Sequence, residues 1–182
     1  MFHLQPTDLK NELIKIIPLQ ESDFDKLYAI ASDELLWEQH PNKDRNKKEV
    51  FQVFFKGAME SNGAFIVYDA ATNLPIGSSR YYEYDEVKKS IAIGYTFVAR
   101  SYWGKGYNRA LKTAMLNYAF TVVNVVVFHV GACNIRSQKA VEKLGAIKVK
   151  EIEMAYVGES NRLNFEYHLE KEYWLNINSK ME

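Results

Sequence analysis

The chain has one cysteine, Cys133, so no intrachain disulfide can form and a cysteine-rich metal site is excluded. It also lacks an excess of either charge: 23 basic side chains balance 23 acidic ones, for a formal net charge of zero. No broad basic field is therefore available to recruit nucleic acid or anionic lipid in bulk. Long apolar runs are missing too. The greasiest, Val122 to Val130, is far shorter than the roughly 20 residues that a membrane helix needs. No basic segment leads into an apolar core near the N-terminus, so a soluble cytoplasmic protein without a signal peptide or membrane contact is expected. The histidines, at 3, 40, 129 and 168, show no metal-ligand spacing, and no metal is expected. Repeats, low-complexity runs and long linkers are absent as well.

What remains is an ordinary globular composition, 47% hydrophobic and 25% charged. Its 182 residues suit a single domain spanning 1–182, since domains commonly run to about 100–150 residues. Leu13–Ile17 reads as a strand closed by Pro18. Ser22 is placed to cap a helix over Asp23–Ala31, with Phe24, Leu27, Tyr28 and Ala31 at helical spacing. A second helix is expected from about Lys47 to Ser61, with Val50, Val53, Phe54 and Met59 facing inward. Strands follow over Ala64–Tyr68, Ile76–Tyr84 and Ile91–Val98. A helix over Asn108–Phe120 comes next, with Leu111, Met115, Leu116 and Ala119 as its apolar stripe. Val125–Val130 has the β-branched and aromatic make-up of a strand buried on both faces. Asn134 is the natural N-cap of a helix ending at Leu144-Gly145. Ile147–Val157 and Arg162–Leu169 then form a hairpin around Gly158-Glu159-Ser160-Asn161. The order is β-α-α-β-β-β-α-β-α-β-β, an α/β sandwich with helices on both faces of one mixed sheet of about seven strands.

The segment that carries chemistry runs from Ile91 to Asn108. An apolar strand breaks at Tyr102-Trp103-Gly104-Lys105-Gly106-Tyr107 and feeds straight into a helix. The first N–H groups of a helix have no partners, and its dipole adds about half a positive charge at that end. Glycines at 104 and 106 permit positive φ and let a ligand approach the backbone. A phosphate is the expected guest. A nucleotide P-loop needs G-x-x-x-x-G-K-S/T, and here Lys105 is followed by Gly106. A dinucleotide fingerprint needs a third glycine where Arg109 stands. Both fail, which leaves a short diphosphate-binding turn.

With this turn, Asn134-Ile135-Arg136-Ser137-Gln138-Lys139-Ala140 and Glu142-Lys143-Leu144-Gly145-Ala146 in order, the chain resembles the GNAT superfamily of acetyl-CoA-dependent N-acetyltransferases. It looks most like the RimJ/RimL-like branch, as Ile17-Pro18-Leu19 before Ser22-Asp23 and the Ser32–Trp37 segment also suggest. The resemblance implies a GNAT-like fold in which the strands over 91–98 and 125–130 splay apart and acetyl-CoA, as co-substrate, lies in the gap. Its diphosphate would rest on the backbone N–H groups of Gly104, Lys105, Gly106, Tyr107 and Asn108, with Trp103 as pocket wall. The pantetheine arm would pair with the backbone of Phe97 and Val98 like an added strand and meet Asn134. Relatives often pair as homodimers.

Acetyl transfer requires a neutral amine, a polarised thioester carbonyl and a tolerable leaving group. The Val98 N–H is placed to stabilise the developing oxyanion. The leaving thiol, with a pKa of about 8.5, makes a mild demand for acid. Many superfamily members carry a tyrosine acid where this chain has Val141. Ser137 occupies the position at which the RimJ/RimL-like branch is thought to place a serine near the sulfur. The acidic residue that the branch often has ahead of Ile93-Gly94-Tyr95 is replaced by Ala92. Trp37, Glu38 and His40 lie in the segment expected to overhang the acceptor. Glu38 and His40 are candidates for the base by reach and pKa, alongside a water chain, and the base is left unassigned. His129, in a strand, reads as structural. The leading function is transfer of acetyl to a primary amine, whether a protein N-terminus or a small molecule. A non-catalytic acyl-CoA-binding module is the alternative, and a plain α/β interaction domain a third.

Overall fold

The computed structural model describes residues 2–155 and 160–178. A mixed sheet of eight strands runs in the order β1-β2-β3-β4-β5-β6-β8-β7. Its strands are β1 (Leu9–Lys10), β2 (Ile14–Pro18), β3 (Ala64–Asp69), β4 (Pro75–Asp85), β5 (Ser90–Val98), β6 (Val125–Gly131), β7 (Ile147–Met154) and β8 (Arg162–Glu170). Among the described residues five helices cover it: α1 (Phe24–Ala31), α2 (Lys48–Glu60), α3 (Tyr107–Ala119), α4 (Ile135–Glu142) and α5 (Lys171–Asn178). The expected order holds, with two additions: the short edge strand β1 ahead of β2, and α5 after β8. Tyr156 and Val157 of the expected strand and Gly158-Glu159 of its turn lie outside the described residues.

Alternation along β4 sorts the two layers. Tyr81 turns to one face and donates its hydroxyl to the Met115 carbonyl of α3. Arg80 turns to the other face and donates to the Gly57 carbonyl of α2 at 3.0 Å. The α3 side is packed by Leu111, Met115, Leu116 and Ala119 against Ile91, Ile93, Val126 and Phe128, all buried. Each such side chain contributes about 1.5–3 kcal/mol by leaving water. The α1/α2 side is a second cluster that joins Leu27, Trp37, Phe51, Phe54, Phe55 and Phe97.

Three local expectations are corrected. Ser22 lies inside a 3-10 turn over Glu21–Asp23, and the carboxylate of Asp23 accepts from the Gln20 N–H instead. The inward stripe of α2 is Phe51, Phe54, Phe55 and Ala58, while Val53 is exposed. The aromatic residues have more apolar area to bury, and they set the rotation of the helix. In β6 only Val126, Phe128 and Val130, with Gly131, are buried; the opposite row of Val125, Val127 and His129 is partly open.

The feature that positions the site is a bulge in β5. Ser78 pairs with Phe97 but Arg80 with Gly94, so β5 carries an extra residue opposite Ser79. Tyr95 sits there at φ 53°, a left-handed conformation rare for a bulky side chain. β5 runs parallel to β6 only over Ser90↔Val125, Ile91↔Val126 and Ala92↔Val127. Beyond Ala92 the strands part, while β6 stays paired with β8 on its other edge from Val125 to Gly131.

Candidate active site

The parting of β5 and β6 opens a cavity of about 660 Å³. Its walls include Val98, Gly104, Asn108, Asn134 and Ser137, and on the far side Trp37, His40, Tyr82 and His129. The Ala99 N–H donates to the Ile76 carbonyl of β4 at 2.7 Å. Strand alternation then directs the backbone groups of Phe97 toward β4 and those of Val98 away from it, into the gap. The Val98 carbonyl is taken by the indole Nε1 of Trp103 at 2.7 Å. Its N–H is left facing the cavity. The Phe97 side chain is buried among Trp37, Phe51 and Phe54.

Past β5, a 3-10 turn over Arg100–Tyr102 leads into Gly104 at φ 73° and Gly106 at φ 85°, and Gly106 opens α3. A Cβ built on Gly104 would meet nothing within 4 Å, so the space before this loop is open to a ligand. The first intrahelical bond of α3 is Ala110 N–H to the Gly106 carbonyl, so the N–H groups of Tyr107 and Asn108 precede it without helical acceptors. This loop of exposed N–H groups at the positive end of a thirteen-residue helix fits a diphosphate. Lys105 is exposed and stands outside the cavity wall.

On the facing side Asn134 caps α4, its Oδ1 accepting the Ser137 N–H at 3.1 Å. Gln138 ties the preceding turn by donating to the Ala132 carbonyl at 2.9 Å. These bonds hold Ser137 in the first turn of α4, half-buried at the cavity wall. Arg136 stacks over the Trp103 ring at 3.9 Å and pairs with Glu38, so α4, the glycine loop and the overhanging segment are joined across the mouth. Cys133 is exposed, its thiol near the Gln39 carbonyl.

The segment expected to receive the acceptor divides. Trp37 is buried and donates its indole N–H to the Ala31 carbonyl, forming wall rather than a reactive group. Glu38 points to Arg136 and does not line the cavity. His40 does line it, but burial, with Arg45 nearby, pushes its pKa down to about 3, and its Nδ1 already accepts the Asn42 N–H. It stays neutral, with that nitrogen engaged.

Several groups had no sequence signal. Lys112 is buried on α3 at the cavity wall, donates to Thr96 Oγ1, and is pushed down to about 7 by burial. Arg80 is buried over the Tyr95 ring at 3.9 Å, with its pKa lowered to about 10 by burial. Tyr82, His129 and Glu166 form a chain of hydrogen bonds at 2.9 and 3.3 Å on the α1/α2 side of the cleft. Each depends on contacts between different elements of the fold, which no local pattern reports. Among the described residues no group of three or more His, Cys, Asp or Glu could hold a metal ion, and no helix is long and apolar enough to cross a membrane.

Comparison with known proteins agrees with this geometry. Residues 14–147 match the acetyltransferase (GNAT) domain family, and the chain belongs to that family. Among curated proteins none matches the chain. A GCN5-related N-acetyltransferase from Brucella melitensis is 18% identical, with a TM-score of 0.78 over 93% of this chain and 83% of that one. A GNAT-family acetyltransferase from Bacillus anthracis is 20% identical, with a TM-score of 0.72 over 90% and 98%. Spermidine N-acetyltransferase from Vibrio cholerae, solved with CoA and spermine, is 18% identical, with a TM-score of 0.68 over 91% and 99%. At these identities the three neighbours testify to the fold.

Proposed function

We propose that this chain transfers acetyl from acetyl-CoA directly to a primary amine, a protein N-terminus or a small molecule, in the manner of the RimJ/RimL-like branch. The observation that carries the reading is the open edge of β5. The Val98 N–H looks into a gap that begins where pairing with β6 stops at Ala92. Gly104 to Asn108 would hold the diphosphate through backbone N–H groups, and Trp103 would fix the end of the strand that pantetheine follows. The Val98 N–H would bind the carbonyl oxygen as it gains negative charge. Ser137 would donate a hydrogen bond to the departing sulfur, a role open to a hydroxyl although it is a poor acid at neutral pH. The tetrahedral adduct gives up one of its two N–H protons to that sulfur as it collapses, so the leaving group departs as a neutral thiol and the amide keeps the other.

Calorimetry with acetyl-CoA, followed by thiol release across a panel of primary amines, tests the reading. Micromolar binding with amine-dependent release is expected. Binding without release from any amine would leave an acyl-CoA-binding module, and no heat at all would remove the cofactor site.

A further inference from the structure

Tyr82 and His129 stand on strands that are not neighbours. β5 runs between β4 and β6, yet the Tyr82 hydroxyl reaches His129 Nδ1 at 2.9 Å. It does so by crossing Gly94, where an added Cβ would lie 2.9 Å from the Tyr82 ring. The crossing falls two residues beyond the last β5–β6 pair, at the root of the cleft. On the other side of the imidazole, Nε2 lies 3.3 Å from Glu166 Oε2, and Glu166 Oε1 lies 2.8 Å from His168 Nε2. The His129 side chain is 5% exposed, that of Glu166 12% and that of His168 33%, so the chain runs from the cavity wall outward to solvent.

We propose that Tyr82, His129 and Glu166 form a proton relay that deprotonates the ammonium form of the acceptor. This rests on the acetyl-transfer reading above. A Glu166 carboxylate accepts from Nε2–H, which leaves the Nδ1 lone pair to accept from the Tyr82 hydroxyl. When an ammonium N–H donates to Tyr82 Oη, that proton joins the oxygen as the hydroxyl proton passes to Nδ1. The products are a neutral amine, an intact tyrosine and an imidazolium facing Glu166. The amine lone pair is then free to attack, and the relay proton leaves by way of Glu166 and His168. Two protons are lost from nitrogen overall, one through this chain and one to the thiol.

Tyr82 is the catalytic residue here, and His129 and Glu166 act through it. The ionisable groups around the imidazole are Tyr82 and Glu83 from β4, Glu83 at 4.0 Å, and Glu166 from β8. Tyr95 of β5 packs on the Tyr82 ring at 5.2 Å, and Lys150 of β7 and His168 of β8 bind the outer side of Glu166. Burial works to raise the Glu166 carboxyl, but its bonds to His168, Lys150 and His129 prevail and hold it below its usual value. It therefore remains an acceptor throughout the neutral range.

Two measurements decide the matter. Ring nitrogen NMR of the intact protein is expected to show His129 as the Nε2–H tautomer at neutral pH; an Nδ1–H tautomer, which cannot take the tyrosine proton, overturns the relay. In kinetics with an amine that the wild-type protein acetylates, Tyr82→Phe and His129→Gln are each expected to lower kcat/KM about 100-fold at pH 7. The deficit should shrink toward pH 10, where alkylamines deprotonate unaided, and acetyl-CoA affinity should hold. A deficit equal at every pH, or none, overturns the relay while leaving acetyl transfer intact. A protein that binds acetyl-CoA and releases thiol with no amine overturns the transfer reading and the relay together.

Discussion

Arg80 lays its guanidinium 3.9 Å from the centre of the Tyr95 ring, and Tyr95 is the residue that β5 holds in a left-handed conformation. A buried cation and a strained backbone position are thus tied to each other at the bulge that separates β5 from β6. Holding a bulky residue there costs about 1–2 kcal/mol, so something must fix it, and the stacked guanidinium does so. Arg80 is itself fixed by α2, through the Gly57 carbonyl.

Tyr95→Ala removes the closer of two rings and leaves the buried guanidinium only the more distant Phe54 ring, at 5.7 Å. Stability should fall by about 2 kcal/mol, measured by chemical denaturation. Acetyl-CoA affinity should fall with it, because a relaxed bulge lets β5 drift toward β6 and narrows the gap. Weaker folding with unchanged affinity would separate the bulge from the cleft.

Gly104→Asp addresses the loop. The open space around this position means that the new side chain meets no protein atom, and Asp tolerates positive φ better than most residues. Its carboxylate would stand where the diphosphate is expected, at like charge. Calorimetry should find acetyl-CoA binding lost while the melting temperature moves by only a few degrees. Retained affinity would place the diphosphate elsewhere.

The glycine loop, the Asn134 cap and the element order were legible in the sequence because each is local. A strand running into Gly104 and Gly106, or an Asx residue before a helical stripe, declares itself within a dozen positions. The bulge at Tyr95 did not, because it exists only as a mismatch between β5 and β4. Trp37 and His40 line the cavity, but their burial and bonding partners depend on α1, α2 and β5 packing together. The Tyr82–His129–Glu166 chain joins three strands, the first and last separated by nearly half of the described chain, and periodicity carries no information about such a contact. Val53 was misplaced for a related reason: a run of apolar residues at 50–55 supports several helix rotations, and tertiary packing of the phenylalanines selects one.

Ser137→Ala separates chemistry from binding. Asn134 bonds the backbone N–H of this residue and not its hydroxyl, so the α4 cap survives the substitution. We expect turnover to fall up to about 10-fold, in line with the loss of one ordinary hydrogen bond of about 0.5–1.5 kcal/mol to the departing sulfur. Acetyl-CoA affinity should change less than 2-fold, about 0.4 kcal/mol. Equal turnover would take the hydroxyl out of the reaction.

Lys112 gives the protein a pH dependence of known sign. Burial pushes its pKa down to about 7, whereas the unfolded chain exposes an ordinary lysine near 10.4. Between those values the unfolded state binds a proton that the folded state does not, so stability rises with pH across this window. Below about pH 7 both states carry the proton, and the folded state bears the whole cost of a buried charge whose bond goes to the neutral Thr96 hydroxyl. Tyr81 works in the opposite direction at high pH, because burial raises its phenol and the unfolded chain ionises first. The clean quantity is therefore the difference between wild type and Lys112→Met from pH 6 to 9.5. The methionine variant should be the more stable at pH 6, and its advantage should shrink by up to about 1.4 kcal/mol per pH unit above pH 7. A difference that stays constant across that range would mean that Lys112 keeps an ordinary pKa in the folded protein, with water reaching its ammonium from the cleft.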